Sequence, residues 1–274
     1  MIEPKGVLVC NPAFFDVIDR KNPFMDPEKR IDRARALAQW QDVVGAFAAS
    51  GLTVHEIEPL PQCEDMVFTA NPAFTGFTSD GRLRAVAGRM RYPSRELEVV
   101  PQLEALRSLN YDIVTPPQGV QFEGGGDAVW HLGGKMLFLG IGPRSDAGAI
   151  SLLEHAFGVE VVPLRLQIDR FYHLDTALSV LDKDVAVVYS RAFDADSYAE
   201  LKRRFRHLVE VADDEANRMA CNAARAGGNV VVIDASARAT ITNLRALGYD
   251  ALPVDTSEFI KSGGSVYCMK QYLF

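Results

Sequence analysis

No apolar run in the sequence approaches the roughly 20 residues that a membrane span needs. The start, Met1-Ile2-Glu3-Pro4-Lys5, lacks the charged-then-apolar order of a secretory signal. A soluble, cytoplasmic protein is the expectation. Positive charge is also short: 29 Lys and Arg face 36 Asp and Glu, a formal net charge of −7. Such a chain lacks the cationic field that holds phosphate backbones, which argues against a nucleic-acid partner. Cysteine is sparse. Cys10, Cys63, Cys221 and Cys268 are far apart with no Cys-x-x-Cys pair, so neither a zinc site nor a disulfide framework is indicated. Each is then an inert core residue or a reactive thiol.

What is present is ordinary globular composition, 48% hydrophobic and 24% charged over 274 residues, enough to bury a large core. One pattern recurs. An amphipathic helix-like stretch ends near a glycine or turn residue, and a short β-branched strand follows. The pairs are 32–50 into 52–54, 94–109 into 111–114, 145–157 into 159–162, 195–205 into 208–211 and 236–247 into 249–252. Ser94, Ser145 and Ser236 are good N-cap types, and Gly51, Gly158 and Gly248 stand where a glycine ends a helix. Strand-like runs lie between, at 6–11, 66–71, 120–123, 172–179, 229–233 and 265–267. The chain therefore reads as about five strand–strand–helix–strand units of roughly 40 to 60 residues each. No linker divides it, so one domain over residues 1–274 is expected. Two architectures satisfy this alternation: a closed, repeated α/β assembly with site residues facing a common centre, or a doubly wound open sheet.

Four segments carry candidate chemistry. Cys268 follows the pair Gly263-Gly264, which lets backbone or ligand come close. A thiolate needs an opposing cation, a base or hydrogen-bond donors at neutral pH, so the thiol requires partners. His173 is the candidate base, because strand alternation would send it and Asp175 to one face. The other histidines have blander readings: His55, His155 and His207 as solvated side chains, His131 in a hairpin turn. In Glu123-Gly124-Gly125-Gly126-Asp127, glycines sit between carboxylates. The acids would repel phosphate and the Gly-Lys-Ser/Thr ending of a phosphate loop is missing, so a cationic substrate or acid–base work fits better. A tight acidic surface hairpin is the alternative. Finally, Asn71-Pro72-Ala73-Phe74 echoes Asn11-Pro12-Ala13-Phe14, and each proline fixes the backbone of the asparagine before it.

Together these segments resemble the guanidine-modifying enzymes of the pentein superfamily, over essentially the whole chain. The resemblance rests on Phe68-Thr69-Ala70-Asn71, Phe122-Glu123-Gly124-Gly125-Gly126-Asp127, His173-Leu174-Asp175 and a C-terminal Cys268, in that order. It implies an α/β fold, the five-bladed pseudo-symmetric αβ propeller. It also implies hydrolysis of the guanidino group of arginine or a close analogue through a covalent amidino-enzyme intermediate on Cys268. His173 would shuttle protons, Glu123 and Asp175 would bind guanidinium nitrogens, and Asp127 is a further substrate carboxylate. Arg95 and Arg144 match the superfamily's clamp for a substrate carboxylate. Asn71 within Phe-Thr-Ala-Asn, and Asn22 within Lys21-Asn22-Pro23-Phe24-Met25, are more similar to arginine dihydrolases than to the other members; Asn11 is a further binding candidate. An arginine dihydrolase gives ornithine, ammonia and carbon dioxide. The alternatives are dimethylarginine dimethylaminohydrolase or arginine deiminase, giving citrulline, then an amidinotransferase or a non-catalytic binding module. No metal or other cofactor is implied, the partner is a small guanidine, and a homo-oligomer is compatible with the sequence. The segment between Asn11 and Arg33, rich in Asp, Asn and Pro, is a candidate lid.

Overall fold

The structure, a computed structural model, describes residues 3–133 and 136–274. Its strands are β1 (Gly6–Cys10), β2 (Thr53–Ile57), β3 (Ala73–Phe77), β4 (Leu83–Ala87), β5 (Asp112–Val114), β6 (Ala128–Trp130), β7 (Met136–Ile141) and β8 (Glu160–Arg165). They continue with β9 (Leu178–Val180), β10 (Val185–Val188), β11 (His207–Glu210), β12 (Ala224–Arg225), β13 (Val230–Asp234), β14 (Asp250–Val254) and β15 (Gln271–Leu273). These form five three-stranded sheets, β15-β1-β2, β3-β4-β5, β6-β7-β8, β9-β10-β11 and β12-β13-β14. Each middle strand pairs antiparallel with one neighbour and parallel with the other. A parallel pair needs a crossover, and a helix supplies it in every sheet: Arg33–Ala49, Val99–Ser108, Gly148–Phe157, Ala195–Arg204 and Arg238–Ala246. This is the five-bladed αβ propeller, which resolves the choice left open by the repeat pattern. The strand β15 comes from the C-terminus and completes the first blade against β1.

The helix ends follow the glycines. Gly51, Gly158 and Gly248 all take positive φ, at 90°, 67° and 89°. The serine caps are a correction. Ser145 Oγ instead accepts from Glu123 N–H and donates to Asp127, and Ser236 bonds back to Asp234, while Ser94 lies inside the short helix Pro93–Glu96. The second helix is also split, into Pro93–Glu96 and Val99–Ser108.

A second correction concerns the runs 66–71, 120–123 and 265–267. They belong to no strand, although 66–71, 122–123 and 265–267 are buried; they are loops leading into β3, β6 and β15. Their backbone groups are satisfied across blades, because the five lead-in loops converge. Ala70 N–H donates to Cys268 O at 3.1 Å and Gly125 N–H to Ala70 O at 2.8 Å. Leu174 N–H donates to Asp127 Oδ1 at 3.1 Å, Asn222 Nδ2 to Asp175 O at 3.0 Å, and Tyr267 N–H to Asn222 O at 3.0 Å. A ring of hydrogen bonds thus joins all five blades at the centre, where the polar candidates gather.

Candidate active site

Each lead-in loop delivers a polar side chain to this centre: Asn71 before β3, Glu123 and Asp127 before β6, His173 and Asp175 before β9, Asn222 before β12 and Cys268 before β15. His173 is extended, with φ −126° and ψ 155°, while Asp175 sits in the single helical turn Leu174–Thr176. They reach the centre through a turn, not along a strand face.

The glycines of 124–126 are required by proximity. A Cβ on Gly126 would overlap Asn71 Nδ2 and press on the His173 ring at 3.1 Å. Gly124 has φ 53° and packs against the Asn71 and Ala73 carbonyls, where no side chain fits. The acidic segment is therefore buried within the fold, and the surface-hairpin alternative does not hold: Glu123 is 0% and Asp127 1% exposed.

Two acid–partner pairs form the centre. Cys268 Sγ donates to Asp175 Oδ2 at 3.0 Å. Burial pushes the thiol well above its ordinary range, and the neighbouring Asp175 carboxylate adds to this. Burial also lifts Asp175, to about 7, against the hydrogen bond from the thiol and the nearby Lys270. The thiol therefore keeps its proton and donates it to the carboxyl, and no donor among the described residues faces the buried Asp175 Oδ1. In the second pair, His173 Nε2 lies 2.7 Å from Glu123 Oε2. Burial opposes the Glu123 charge, but the hydrogen bond to His173 and the Arg144 guanidinium 3.0 Å away outweigh it and hold the carboxyl down at about 2. Burial lowers the His173 imidazole, leaving it neutral.

Arg95 and Arg144 are both buried and both spent on internal acceptors. Arg95 forks onto Glu98 and donates to Asn71 Oδ1 at 2.8 Å. This fixes the Asn71 amide: its oxygen faces Arg95, and its Nδ2 points toward His173 Nδ1, 3.4 Å away. Arg144 lies between the Tyr92 and Tyr172 rings, 4.8 and 4.7 Å from their centroids, and donates to Lys21 O at 2.7 Å. Asn22, Asp65, Asn71, Arg95, Arg144 and Cys268 line one narrow cleft.

Two candidates belong neither to that cleft lining nor to the two acid–partner pairs. Asn11 donates to Glu56 on β2 at 2.7 Å, and among the described residues none of its hydrogen bonds reaches the cluster. Each Asp127 oxygen accepts one hydrogen bond, from Ser145 Oγ and from the Leu174 N–H, so this carboxyl holds the His173 loop. The segment between Asn11 and Arg33 is pinned: Lys21 is 5% exposed and ion-paired with Asp19, Glu64 and Asp65, and Asn22 donates to Ser262 O at 2.9 Å. Sequence reasoning does not single out Asp65 or Asn222. The available signal for Asn222 is positional, as the only polar side chain in the three residues before β12 of the fifth blade.

Comparisons with known proteins agree with this fold. A family model described as N,N dimethylarginine dimethylhydrolase, eukaryotic, matches residues 11–274. The N(G),N(G)-dimethylarginine dimethylaminohydrolase of Mycobacterium tuberculosis is 36% identical over 257 residues, 94% of this chain and 82% of its own. The bifunctional arginine dihydrolase/ornithine cyclodeaminase ArgZ of Synechocystis sp. is 30% identical over 275 residues, 98% of this chain and 38% of its own. A crystal structure of a cyanobacterial ArgZ N-terminal domain, an arginine dihydrolase bound to product, has a TM-score of 0.92 at 27% identity, covering 99% of this chain and 98% of that one. A dimethylarginine dimethylaminohydrolase adduct with S-methyl-L-thiocitrulline, 22% identical, shares the fold with a TM-score of 0.83, covering 99% of this chain and 100% of that one. The chain belongs to the N,N dimethylarginine dimethylhydrolase family, within the pentein-fold guanidine-modifying enzymes that hydrolyse guanidino C–N bonds.

Proposed function

We propose that the chain is one catalytic unit that hydrolyses arginine twice, giving ornithine, two ammonia and carbon dioxide. The observation that carries this reading is the Asn71 amide, turned by Arg95 so that its N–H groups face the reacting centre. A guanidinium entering the cleft donates to Glu123 and Asp175. It thereby replaces the S–H as the partner of Asp175, and the thiol proton passes to the neutral His173. The thiolate so formed attacks the guanidinium carbon, which the enclosing carboxylates keep protonated and electrophilic. His173 supplies the proton with which the first ammonia departs, then removes one from the water that hydrolyses the amidino–sulfur bond. The product of that step, citrulline, is neutral and carries an oxygen where the substrate had a nitrogen. An amide N–H at Asn71 donates to that oxygen and holds it for a second attack; an ionised carboxylate there could only accept. Overall, arginine and two waters become ornithine, two ammonia and carbon dioxide. Arg95 and Arg144 line the same cleft, where the substrate α-carboxylate binds them by displacing one of their internal carbonyl acceptors, and Asp65 supplies a counter-charge for the α-ammonium.

Hydrolysis of methylated arginine to citrulline is the second reading, favoured by the family model and by the mycobacterial relative. Ornithine, citrulline and ammonia measured together from arginine separate the two. Ornithine with two ammonia per arginine is expected. Citrulline as the end product overturns the two-step reading, and turnover of dimethylarginine with none of arginine establishes the second.

A further inference from the structure

We infer that Asn222 is a positioning residue for the Cys268 nucleophile, the fifth-blade member of the set of lead-in side chains. This rests on the reading of Cys268 as the nucleophile and extends it to the group that holds the sulfur. Asn222 is 0% exposed, and its carboxamide uses its full capacity of two acceptor positions and two N–H groups on the site. Oδ1 accepts from Ser265 N–H and from Cys268 N–H, each at 3.1 Å. Nδ2 donates to Asp175 O at 3.0 Å and to Cys268 Sγ at 3.2 Å. One side chain therefore fixes the loop that carries the thiol, the segment that carries its carboxylate partner, and the sulfur itself.

The local backbone supports this placement. Met219 holds φ 64°, a left-handed conformation rarely adopted by a residue with a long side chain, and its carbonyl accepts from Asn222 N–H at 2.9 Å. That turn aims the amide at the axis. When a guanidinium takes the place of the S–H at Asp175, the sulfur becomes a thiolate. The Asn222 N–H is then its side-chain donor, and a donor bond to an anion is stronger than one to a neutral thiol.

The test is the pH profile of Cys268 alkylation by chloroacetamidine in the parent, Asn222→Asp and Asn222→Ser, alongside steady-state kinetics with arginine. The Asp variant keeps the shape and the acceptor but loses the donor. Alkylation at neutral pH should slow by roughly 10–100-fold with its midpoint moved upward, as for loss of a hydrogen bond to a charged group. kcat should fall with KM little changed, since Asn71, Arg95 and Arg144 are untouched. In the parent, the Asn222 side-chain amide resonances should shift with pH at the alkylation midpoint, a readout that needs no variant to fold. An unmoved midpoint in either folded variant, or amide resonances that ignore the thiol titration, overturns the assignment. Equal labelling of all four cysteines in the parent instead overturns the reading of Cys268.

Discussion

At the residue scale, the site is a set of buried charges whose partners decide their protonation. Asn71 is the sharpest case, because Arg95 leaves its carboxamide only one orientation. The substitution Asn71→Asp turns an amide donor into an acceptor without changing shape, so arginine should be released as citrulline with one ammonia; product analysis by mass spectrometry checks this. Asp175 has a stability consequence. Its carboxyl holds a proton more tightly in the folded chain, at about 7, than in the unfolded chain, where it is near 4. The free protein should therefore lose stability as pH rises from about 4 through about 7. Asp175→Asn, which carries no charge to desolvate, should melt higher than the parent at pH 8 by roughly 2–4 °C for each kcal/mol regained. The two proteins should converge at pH 4, while the variant loses activity. Thermal unfolding at both pH values tests the sign. The thiol itself is also testable. A cationic haloacetamidine should alkylate Cys268 well ahead of Cys10, Cys63 and Cys221, whereas neutral iodoacetamide, which supplies no charge to Asp175, should show little preference by peptide mapping.

At the element scale, the five lead-in loops carry the chemistry and the strands carry the frame. This explains which segments sequence patterning misreads. The run 66–71 is largely apolar and buried, as strands are, and 120–123 alternates as a strand would, but their hydrogen bonds go to other blades or to side chains instead of a ladder. Local alternation reports burial; it contains no information about which backbone answers which. The glycine segment 124–126 separates two effects. Gly124→Ala would place a Cβ against backbone carbonyls at positive φ, so it should destabilise the fold by roughly 1–3 kcal/mol. Gly126→Ala would instead displace Asn71 and His173, so kcat should fall by roughly 100-fold, the scale of a 1 Å misplacement, with a smaller change in melting temperature. Denaturant unfolding and kinetics on the pair check the contrast.

At the scale of the whole molecule, the C-terminal segment does two things at once. It brings Cys268 to the axis and supplies β15, which pairs with β1 over Gly6 to Leu8 and buries Leu273. Ring closure and nucleophile placement are therefore one structural event. A chain ending at Lys270 retains every candidate site residue yet leaves the first blade without its inner partner. It should unfold with lower cooperativity and show no selective labelling of Cys268, which urea titration and alkylation together would reveal.

The sequence by itself determines the repeat, because helix and strand periods are local properties, and it exposes Cys268, His173, Glu123 and Asn71 through motifs that stand out against ordinary composition. The three-dimensional ring decided the rest. Asp127 and Asn11 belong to the right motifs but are turned to Ser145, Leu174 and Glu56. Asn222 carries no motif, yet it reaches the sulfur because the fifth blade closes against the first. The reason is that a hydrogen bond between residues 46 or 93 positions apart, as Asn222 and Asp175 make to Cys268, exists only after the chain has closed on itself.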